Sequence, residues 1–254
     1  MKNFSVTIIV GAANESDSLI KTGEAILHLC KAEDIDKIIF VMPQNAAREC
    51  SQAIDELKEK HPSCVMGLVQ KRPYVGGAIQ DGFDLATSSH IMLLPGDLAV
   101  DLHVVPRLIE EEKKNPQGIV KVSRWLKKDG FIHYSPTRKV LNGCAQSFLR
   151  VLYHTKLTDL TNPVQIMPTA LYRAIDWKEL NFPFLTEMVL CPLKMAVPIK
   201  EIPAAMKTEH SLCSAVLYLK TQQVMVVVYM FTKIGRAHRL NSSHTDSSRM
   251  PSSA

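Results

Sequence analysis

The sequence predicts an α/β fold, a three-layer sandwich in which helices cover both faces of a mostly parallel central sheet. Short apolar runs alternate with helical patterns, the connections between them are short, and 46% of the 254 residues are hydrophobic. Such alternation specifies parallel strands joined by right-handed crossovers. A chain of this length and apolar content can bury a full core as one large domain.

The first half of the chain supplies four predicted strands separated by helical patterns. The fourth strand, 91–94, is too short for a helix and has no polar alternation, which is typical of a central strand buried on both faces. The predicted strands lie at 6–10, 37–42, 65–69 and 91–94, and the predicted helices at 19–29, 46–60 and from Gly76 onward.

The second half has a less regular pattern, and no linker separates it from the first. A long helix is predicted from Ser135-Pro136 onward, because five apolar side chains fall on one helical stripe. These are Leu141, Cys144, Phe148, Val151 and Leu152. The remaining predicted elements are helices at 102–114, 171–175 and 184–195 and strands at 118–122, 164–167 and 199–202.

Asp97 follows the fourth strand, at the point where Pro95-Gly96 ends the apolar run. In open α/β sheets, ligands bind at the carboxyl ends of the strands, so a carboxylate there is a candidate for binding a metal or a substrate. The alternative is that Asp97 caps a turn or the next helix. Asp101, directly before the next helical pattern, is the better-placed N-cap, so we expect a functional Asp97.

Gly76-Gly77 opens the third helical pattern. The pair suggests a dinucleotide-binding fingerprint, but the spacing is not G-x-G-x-x-G. Close backbone approach at the start of a helix is the favoured interpretation, and phosphate binding there stays an alternative.

Charge and composition argue against several classes of protein. The net charge of +5 is mild, so no nucleic acid partner is expected. Six scattered cysteines, without C-x-x-C or zinc spacing, favour reduced core residues of a cytoplasmic protein. The amino terminus lacks the pattern of a secretion signal. The apolar run 224–231 is shorter than the ~20 residues that span a bilayer.

Several short motifs occur in a fixed order between residues 5 and 211. They are Asn14-Glu15, Gly76-Gly77-Ala78, Asp97-Leu98, Ser123-Arg124, Arg138 with Asn142, Asp159-Leu160-Thr161, Thr186-Glu187 and Glu201-Ile202-Pro203. The ordered set resembles the nucleotide-sugar glycosyltransferases of the GT-A (Rossmann-like) fold, in the family-2 group that includes the dolichyl-phosphate mannosyltransferases. The resemblance implies a transferase of glycan or cell-envelope biosynthesis.

The sequence departs from that family at three places. Gly11-Ala12-Ala13 stands where the family has Pro-x-Tyr before Asn-Glu, and residues 42–45 replace an Asp-Asp-Gly-Ser run that contacts the nucleotide base. Pro95 replaces the first acid of the Asp-x-Asp metal motif. Two alternatives stay open. The departures at Pro95 and 42–45 motivate a non-catalytic module that binds a nucleotide sugar or a partner protein. The glycine pair motivates a nucleotidyltransferase or dehydrogenase on a similar sheet.

On the donor side, the resemblance implies that Asn14 and Glu15 line the nucleotide pocket and that Asp97 holds Mg²⁺ or Mn²⁺. A divalent cation suits a departing diphosphate because hard cations bind carboxylate and phosphate oxygens together. One protein carboxylate is sufficient when phosphates and waters complete the coordination. Lys207 lies near the position where the family has a diphosphate-binding Arg.

Two acceptor classes remain open for an inverting transferase. A hydroxyl of a glycan needs a general base, for which Asp159 and Glu187 are the available acids. A polyprenyl phosphate is already anionic and needs cations instead, and the resemblance assigns this role to Arg124 and Arg138. Two of these residues also have a structural alternative: Arg138 can pair with Asn142, and Asp159 can be a turn residue. Glu187, in an apolar neighbourhood, is either partnered or perturbed, and both interpretations favour function.

The carboxyl-terminal residues differ in composition from the rest of the chain. Residues 234–254 are rich in Ser, His and Arg and resemble translated sequencing-adapter read-through. We expect a glycosyltransferase domain over 1–215, the start of a truncated helix over 216–233 and a non-native or disordered tail. The run 224–231, flanked by Lys220 and Lys233, fits the start of an amphipathic anchor, so peripheral contact with the inner face of a membrane stays open.

Overall fold

A seven-stranded sheet forms the centre of the molecule in the computed structural model, which describes residues 4–12 and 15–207. The strands in chain order are β1 (Val6–Gly11), β2 (Ile35–Met42), β3 (Val65–Val69), β4 (His90–Pro95), β5 (Ile119–Ser123), β6 (Phe131–Ile132), β7 (Gln165–Pro168), β8 (Ile199–Pro203) and β9 (Met206–Lys207). The helices are α1 (Asp17–Leu29), α2 (Arg48–Lys60), α3 (Tyr74–Asp84), α4 (Val104–Glu112), α5 (Pro136–Leu152), α6 (Thr169–Ala174) and α7 (Pro183–Lys194).

The order of strands across the sheet is β3-β2-β1-β4-β7-β5-β8, and β6 pairs separately with β9. Within the seven-stranded sheet, β7 runs antiparallel to β4 and β5, and the other neighbouring strands are parallel. The predicted α/β architecture with a mostly parallel sheet is therefore confirmed.

The core lies on both faces of this sheet. Ile8 and Val10 of β1 belong to one buried cluster, whereas Ile9 belongs to the other. Successive side chains of a strand point to opposite faces, so a strand covered on both sides is apolar throughout. This explains why the central strands were recognisable as unbroken apolar runs.

One expectation about an individual residue is wrong. Asp101 is not the N-cap of α4, because the helix begins at Val104 with His103 as its N-cap residue. The Asp101 side chain instead accepts a hydrogen bond from the backbone of His103, at 3.1 Å. The apolar stripe of α5 is exposed at Leu141, Cys144, Phe148 and Val151.

The position of α5 explains its exposure. A crossover helix connects parallel strands and packs across a sheet face. The segment containing α5 instead connects β5 to the antiparallel β7, so it leaves and re-enters the sheet at the same edge. Its apolar stripe is consequently not buried on the sheet.

Candidate active site at the carboxyl edge of the sheet

The residues predicted to be functional gather at one edge of the sheet. The parallel strands β1, β4, β5 and β8 all end there, and the antiparallel β7 begins there. The loops that follow Gly11, Pro95 and Ser123 therefore meet the segment that precedes Gln165. This is the edge at which open α/β sheets bind ligands.

The backbone fixes the loop that presents Asp97. A Cβ atom at Gly96 would lie 2.4 Å from the Gly11 carbonyl oxygen, so only glycine lets this loop approach β1. Leu98 adopts a φ of 55°, a left-handed conformation that is costly for a branched apolar residue. Asp97 itself is half-buried, and its Oδ1 accepts a hydrogen bond from Ala99 N at 3.0 Å.

Lys207 lies beside the Asp97 loop. Its backbone nitrogen donates to the Ala99 carbonyl oxygen at 2.7 Å, and Lys207 pairs with Ile132 across β6 and β9. The side chain of Lys207 is exposed. The backbone of Lys207 is thus held beside the loop that carries Asp97.

Arg124 and Asp159 form a buried bidentate ion pair. The Nε–Oδ2 and Nη2–Oδ1 distances are both 2.7 Å, and the Arg124 backbone also donates to Oδ2. Burial alone would raise the pKa of Asp159, but the charges of Arg124 and Lys121 bring it below its ordinary value. A carboxylate that is already paired with a guanidinium and has a lowered pKa is a poor general base.

Three further residues hold the segment that contains Asp159. The sequence did not indicate a role for any of them. Lys121 is fully buried, its pKa is lowered by burial, and its Nζ donates to the Asp159 carbonyl oxygen. Glu201 accepts hydrogen bonds from the backbone of Asp159 at 2.8 Å and of Thr158 at 2.7 Å. Gln146 accepts from the backbone of Leu160 at 2.9 Å. The sequence carried one signal for this network, a lysine inside the apolar strand β5.

Arg138 lies over an aromatic ring beside this pair. Its guanidinium carbon is 4.7 Å from the centroid of Tyr134, and the Tyr134 hydroxyl accepts a hydrogen bond from Arg124 at 3.3 Å. The two predicted phosphate-binding arginines are therefore linked through one tyrosine. Arg138 is half-buried, whereas Arg124 is only 7% exposed.

Glu187 lies on α7 and holds the segment that precedes this helix. Its carboxylate accepts hydrogen bonds from the backbone nitrogens of Lys178 and Glu179, at 3.1 to 3.3 Å. Burial raises the pKa of Glu187, and these two backbone donors partly oppose that shift. The predicted partnered acid in an apolar neighbourhood is therefore present, with backbone groups as its partners.

Gly76 and Gly77 pack against the segment that Glu187 holds. A Cβ atom at Gly76 would lie 2.7 Å from the Cβ of Phe184, and one at Gly77 would lie 2.6 Å from the Cβ of Arg72. Gly77 N donates to the Leu180 carbonyl oxygen at 2.9 Å. Close backbone approach therefore accounts for both glycines.

The remaining predictions fall partly outside the described residues. Asn14 and the carboxyl-terminal calls, including the helix start and the tail, lie outside them, whereas Glu15 is half-buried in the loop after β1. Within 4–12 and 15–207, no three His, Cys, Asp or Glu side chains cluster as a metal site. Over the same residues, no helix is long and apolar enough to span a bilayer.

Comparison with known proteins identifies the family. The sequence model described as Glycosyl transferase family 2 matches residues 7–179, which is more than half of the chain. The chain belongs to glycosyl transferase family 2. No curated protein matches this family-2 glycosyltransferase by sequence.

Solved structures share the fold at low sequence identity. Glucosyl-3-phosphoglycerate synthase from Mycobacterium tuberculosis with UDP has a TM-score of 0.69 and 12% identity, covering 92% of this chain and 81% of that one. The same enzyme with Mn²⁺, UDP-glucose and phosphoglyceric acid gives 0.69 and 12%, covering 92% and 80%. These likenesses establish the GT-A fold of the family-2 chain. The dolichyl-phosphate mannosyltransferase subtype stays a prediction.

Proposed function

We propose that this chain is an inverting glycosyltransferase that moves a sugar from a nucleoside-diphosphate sugar to a phosphate-bearing acceptor of the polyprenyl-phosphate type. The observation that carries the proposal is that both candidate bases already accept hydrogen bonds from groups of the protein. Asp159 is paired with Arg124, and Glu187 accepts two backbone N–H groups. A phosphate acceptor needs no base, whereas a glycan hydroxyl does.

The donor would bind at the Asp97 loop. Its carboxylate is half-buried at the sheet edge, and the Ala99 amide orients one of its oxygens. A single carboxylate fits Mg²⁺ or Mn²⁺ when diphosphate oxygens and waters complete the coordination. Such a cation, when bound, supplies a Lewis acid that takes up the charge developing on the leaving diphosphate. The family resemblance and the Mn²⁺- and UDP-bound neighbour support this assignment.

The acceptor would be held by the more accessible cations of the edge. Arg124 is buried against Asp159, so its main effect is to fix the Asp159 segment and Tyr134. Arg138 and Lys207 are more exposed and flank the same edge. Phosphoglyceric acid, which is bound in the structure of the neighbouring synthase, is also an anion.

The transfer itself is a single displacement. An acceptor phosphate oxygen forms the new bond to the anomeric carbon, while the bond from that carbon to the diphosphate oxygen breaks. The leaving nucleoside diphosphate keeps the electron pair, and no proton has to be removed from the acceptor. A polyprenyl acceptor also implies peripheral contact with a membrane.

The donor half is tested by titrating UDP-glucose and GDP-mannose with and without Mn²⁺. Asp97→Asn is the sharp variant, because the amide oxygen can still accept from Ala99 while the charge is lost. We expect metal-dependent binding in the unmodified chain and at least tenfold weaker binding in the variant. Asp101→Asn, an exposed acid of the same loop, is the matched control and should bind normally. Equal binding with and without Mn²⁺ would contradict the proposal.

The acceptor half is tested with a polyprenyl phosphate and a soluble glycan at saturating donor. Transfer to the phosphate should be retained in Glu187→Gln if the variant folds, since no base is required. Circular dichroism and thermal unfolding establish that the variant is folded. Transfer to the glycan alone would overturn the assignment of the acceptor.

A non-catalytic module remains the second candidate, favoured by Pro95 in place of the first metal-motif acid. It predicts nucleotide-sugar binding that is indifferent to metal and to Asp97→Asn. The donor titration therefore separates the two candidates directly.

A further inference from the structure

Tyr74, the first residue of α3, combines a strained backbone with an exposed aromatic ring. Its φ is 64°, in the left-handed region that favours glycine. The residue is 62% exposed, although aromatic side chains contribute most to stability when they are buried. Strained residues of this kind persist where the surrounding structure holds them, and they cluster at ligand-binding sites.

The segment before Tyr74 is held by a buried acid of α3, Asp81. One oxygen of the Asp81 carboxylate accepts hydrogen bonds from the backbone nitrogens of Lys71 and Arg72, at 2.5 and 2.8 Å. The other oxygen accepts from the Arg72 guanidinium at 2.8 Å, and Gln70 Nε2 donates to the Arg72 carbonyl oxygen at 2.9 Å. A loop that is fixed before a ligand arrives loses less conformational entropy on binding.

This loop lies at the ligand-binding edge of the sheet, beside the end of β2. The strands β1, β2 and β3 are parallel, so the segments that follow them lie side by side at their carboxyl ends. Gln70 N donates to the Met42 carbonyl oxygen at 2.8 Å, which joins the loop after β3 to the last residue of β2. Tyr74 therefore belongs to the same edge as the Asp97 loop.

The order of the strands indicates where a donor bound at Asp97 would place its base. The carboxyl ends of β3 and β4 are three strand spacings apart, about 14 Å at ~4.8 Å per spacing. The cations proposed for the acceptor lie on the other side of β4, because Arg138 follows β5 and Lys207 pairs with β6. A nucleoside diphosphate whose diphosphate lies at Asp97 would therefore extend away from them, along the ends of β1, β2 and β3.

Tyr74 is the aromatic residue available on that side of the edge. The segments that follow β1 and β2, residues 12–16 and 43–47, contain no Phe, Trp or Tyr. Every nucleotide base has a π face, so an aromatic side chain can stack on any of them. We propose that Tyr74 is the platform on which the base of the nucleoside-diphosphate donor stacks, an inference that rests on the proposed function.

A purely structural role accounts less well for Tyr74. Glycine adopts a φ of 64° without strain, so a role in the shape of the loop alone would be met best by glycine. A role in packing would bury the ring, which is instead mostly exposed. An exposed ring on a strained, firmly held backbone fits contact with a ligand.

Titration of UDP and GDP with Mn²⁺ tests the platform on the full chain. Tyr74→Gly removes the ring and retains the backbone conformation, and thermal unfolding establishes that the variant is folded. We expect at least tenfold weaker binding of both nucleotides, because stacking does not depend on which base is present. Tyr74→Phe keeps the ring and should bind both nucleotides like the unmodified chain.

Ala196→Gly is the matched control for the change to glycine. Ala196 also has a left-handed φ, 57°, and it is exposed before β8, at the opposite end of the sheet. This variant should bind UDP and GDP normally. Unchanged binding by Tyr74→Gly, or a loss confined to one of the two nucleotides, would overturn the platform. An equal loss in Tyr74→Phe would assign the contact to the hydroxyl and overturn stacking as well.

The same titration separates this inference from the proposed function. Metal-dependent nucleotide binding that Tyr74→Gly leaves unchanged would refute the platform alone. Ring-dependent binding that is indifferent to Mn²⁺ and to Asp97→Asn would support the platform and refute the metal-assisted donor site. Absence of nucleotide binding in the unmodified chain would refute both.

Discussion

Two buried acids at opposite ends of the central sheet differ in the basic group that lies beside each carboxylate. Asp159, at the carboxyl edge, is 0% exposed and paired with Arg124. Glu112, at the end of α4, is also 0% exposed, but its nearest basic group is His90 Nε2, 3.6 Å from Oε1. The guanidinium stays charged at every physiological pH, whereas the imidazole does not.

The pKa values of the two acids move in opposite directions as a result. Arg124 and Lys121 lower the pKa of Asp159 despite its burial. Burial raises the pKa of Glu112 to about 8, although the Val120 backbone opposes this shift, and burial lowers the pKa of His90. Of these two buried acids, only the one at the edge where ligands bind keeps its charge near pH 7. The His90–Glu112 pair is neutral near pH 7.

Removing the charge of Asp159 should have the largest effect on the free energy of unfolding. Asp159→Asn leaves Arg124 and Lys121 buried without a carboxylate, and breaking a buried pair typically costs about 3–5 kcal/mol. Urea denaturation should show that loss in the free energy of unfolding. Asp176→Asn, whose side chain is 83% exposed, is the control and should change stability little. A loss below about 1 kcal/mol would mean that the pair is not essential to the fold.

Neutralising Glu112 should raise the free energy of unfolding rather than lower it, and the size of this effect should depend on pH. The folded pKa of about 8 lies above the ordinary value of 4.5. Folding therefore favours the protonated acid, and stability is lost as pH rises from about 4.5 to about 8 by up to about 1.4 kcal/mol per pH unit. Glu112→Gln should remove this loss, so the variant should be the more stable protein near pH 8 and similar to the unmodified chain near pH 4.5.

Thermal unfolding over that pH range measures the difference between the two proteins. Glu110→Gln on the same helix is the control, because its side chain is 54% exposed and its pKa is lowered by Lys113. A stability difference that stays constant with pH would contradict the raised pKa of Glu112.

The sequence predicted the strands and the edge of the sheet well, and the contacts between distant segments poorly. Apolar runs such as 91–94 mark buried strands regardless of their neighbours, and Asp97 follows from the rule that loops at strand ends bind ligands. The Arg124–Asp159 pair depends on a contact across 35 residues, which no local pattern contains. The periodicity of α5 indicates an apolar face but not what that face contacts.

The antiparallel direction of β7 explains why the periodicity of α5 does not indicate what its apolar stripe contacts. A parallel β7 would have required a crossover and placed α5 on a sheet face, where its stripe would be buried. The observed return at the same edge leaves that stripe exposed. A residue pattern alone does not distinguish these two topologies.

Glu201→Gln should have the smallest effect of the three and tests whether the network around Asp159 acts as one unit. Glu201 accepts from Thr158 N, Thr158 Oγ1 and Asp159 N, and an amide nitrogen would face at least one of these donors. Leaving a buried donor unsatisfied costs about 1–3 kcal/mol, so we expect a loss at the low end of that range in urea denaturation. Glu59→Gln, on the exposed side of α2, should show no loss. If Glu201→Gln lowers the free energy of unfolding as much as Asp159→Asn does, the network around Asp159 is cooperative. The difference between Asp159 and Glu112 would then depend on every member of that network and not on the Arg124 guanidinium alone.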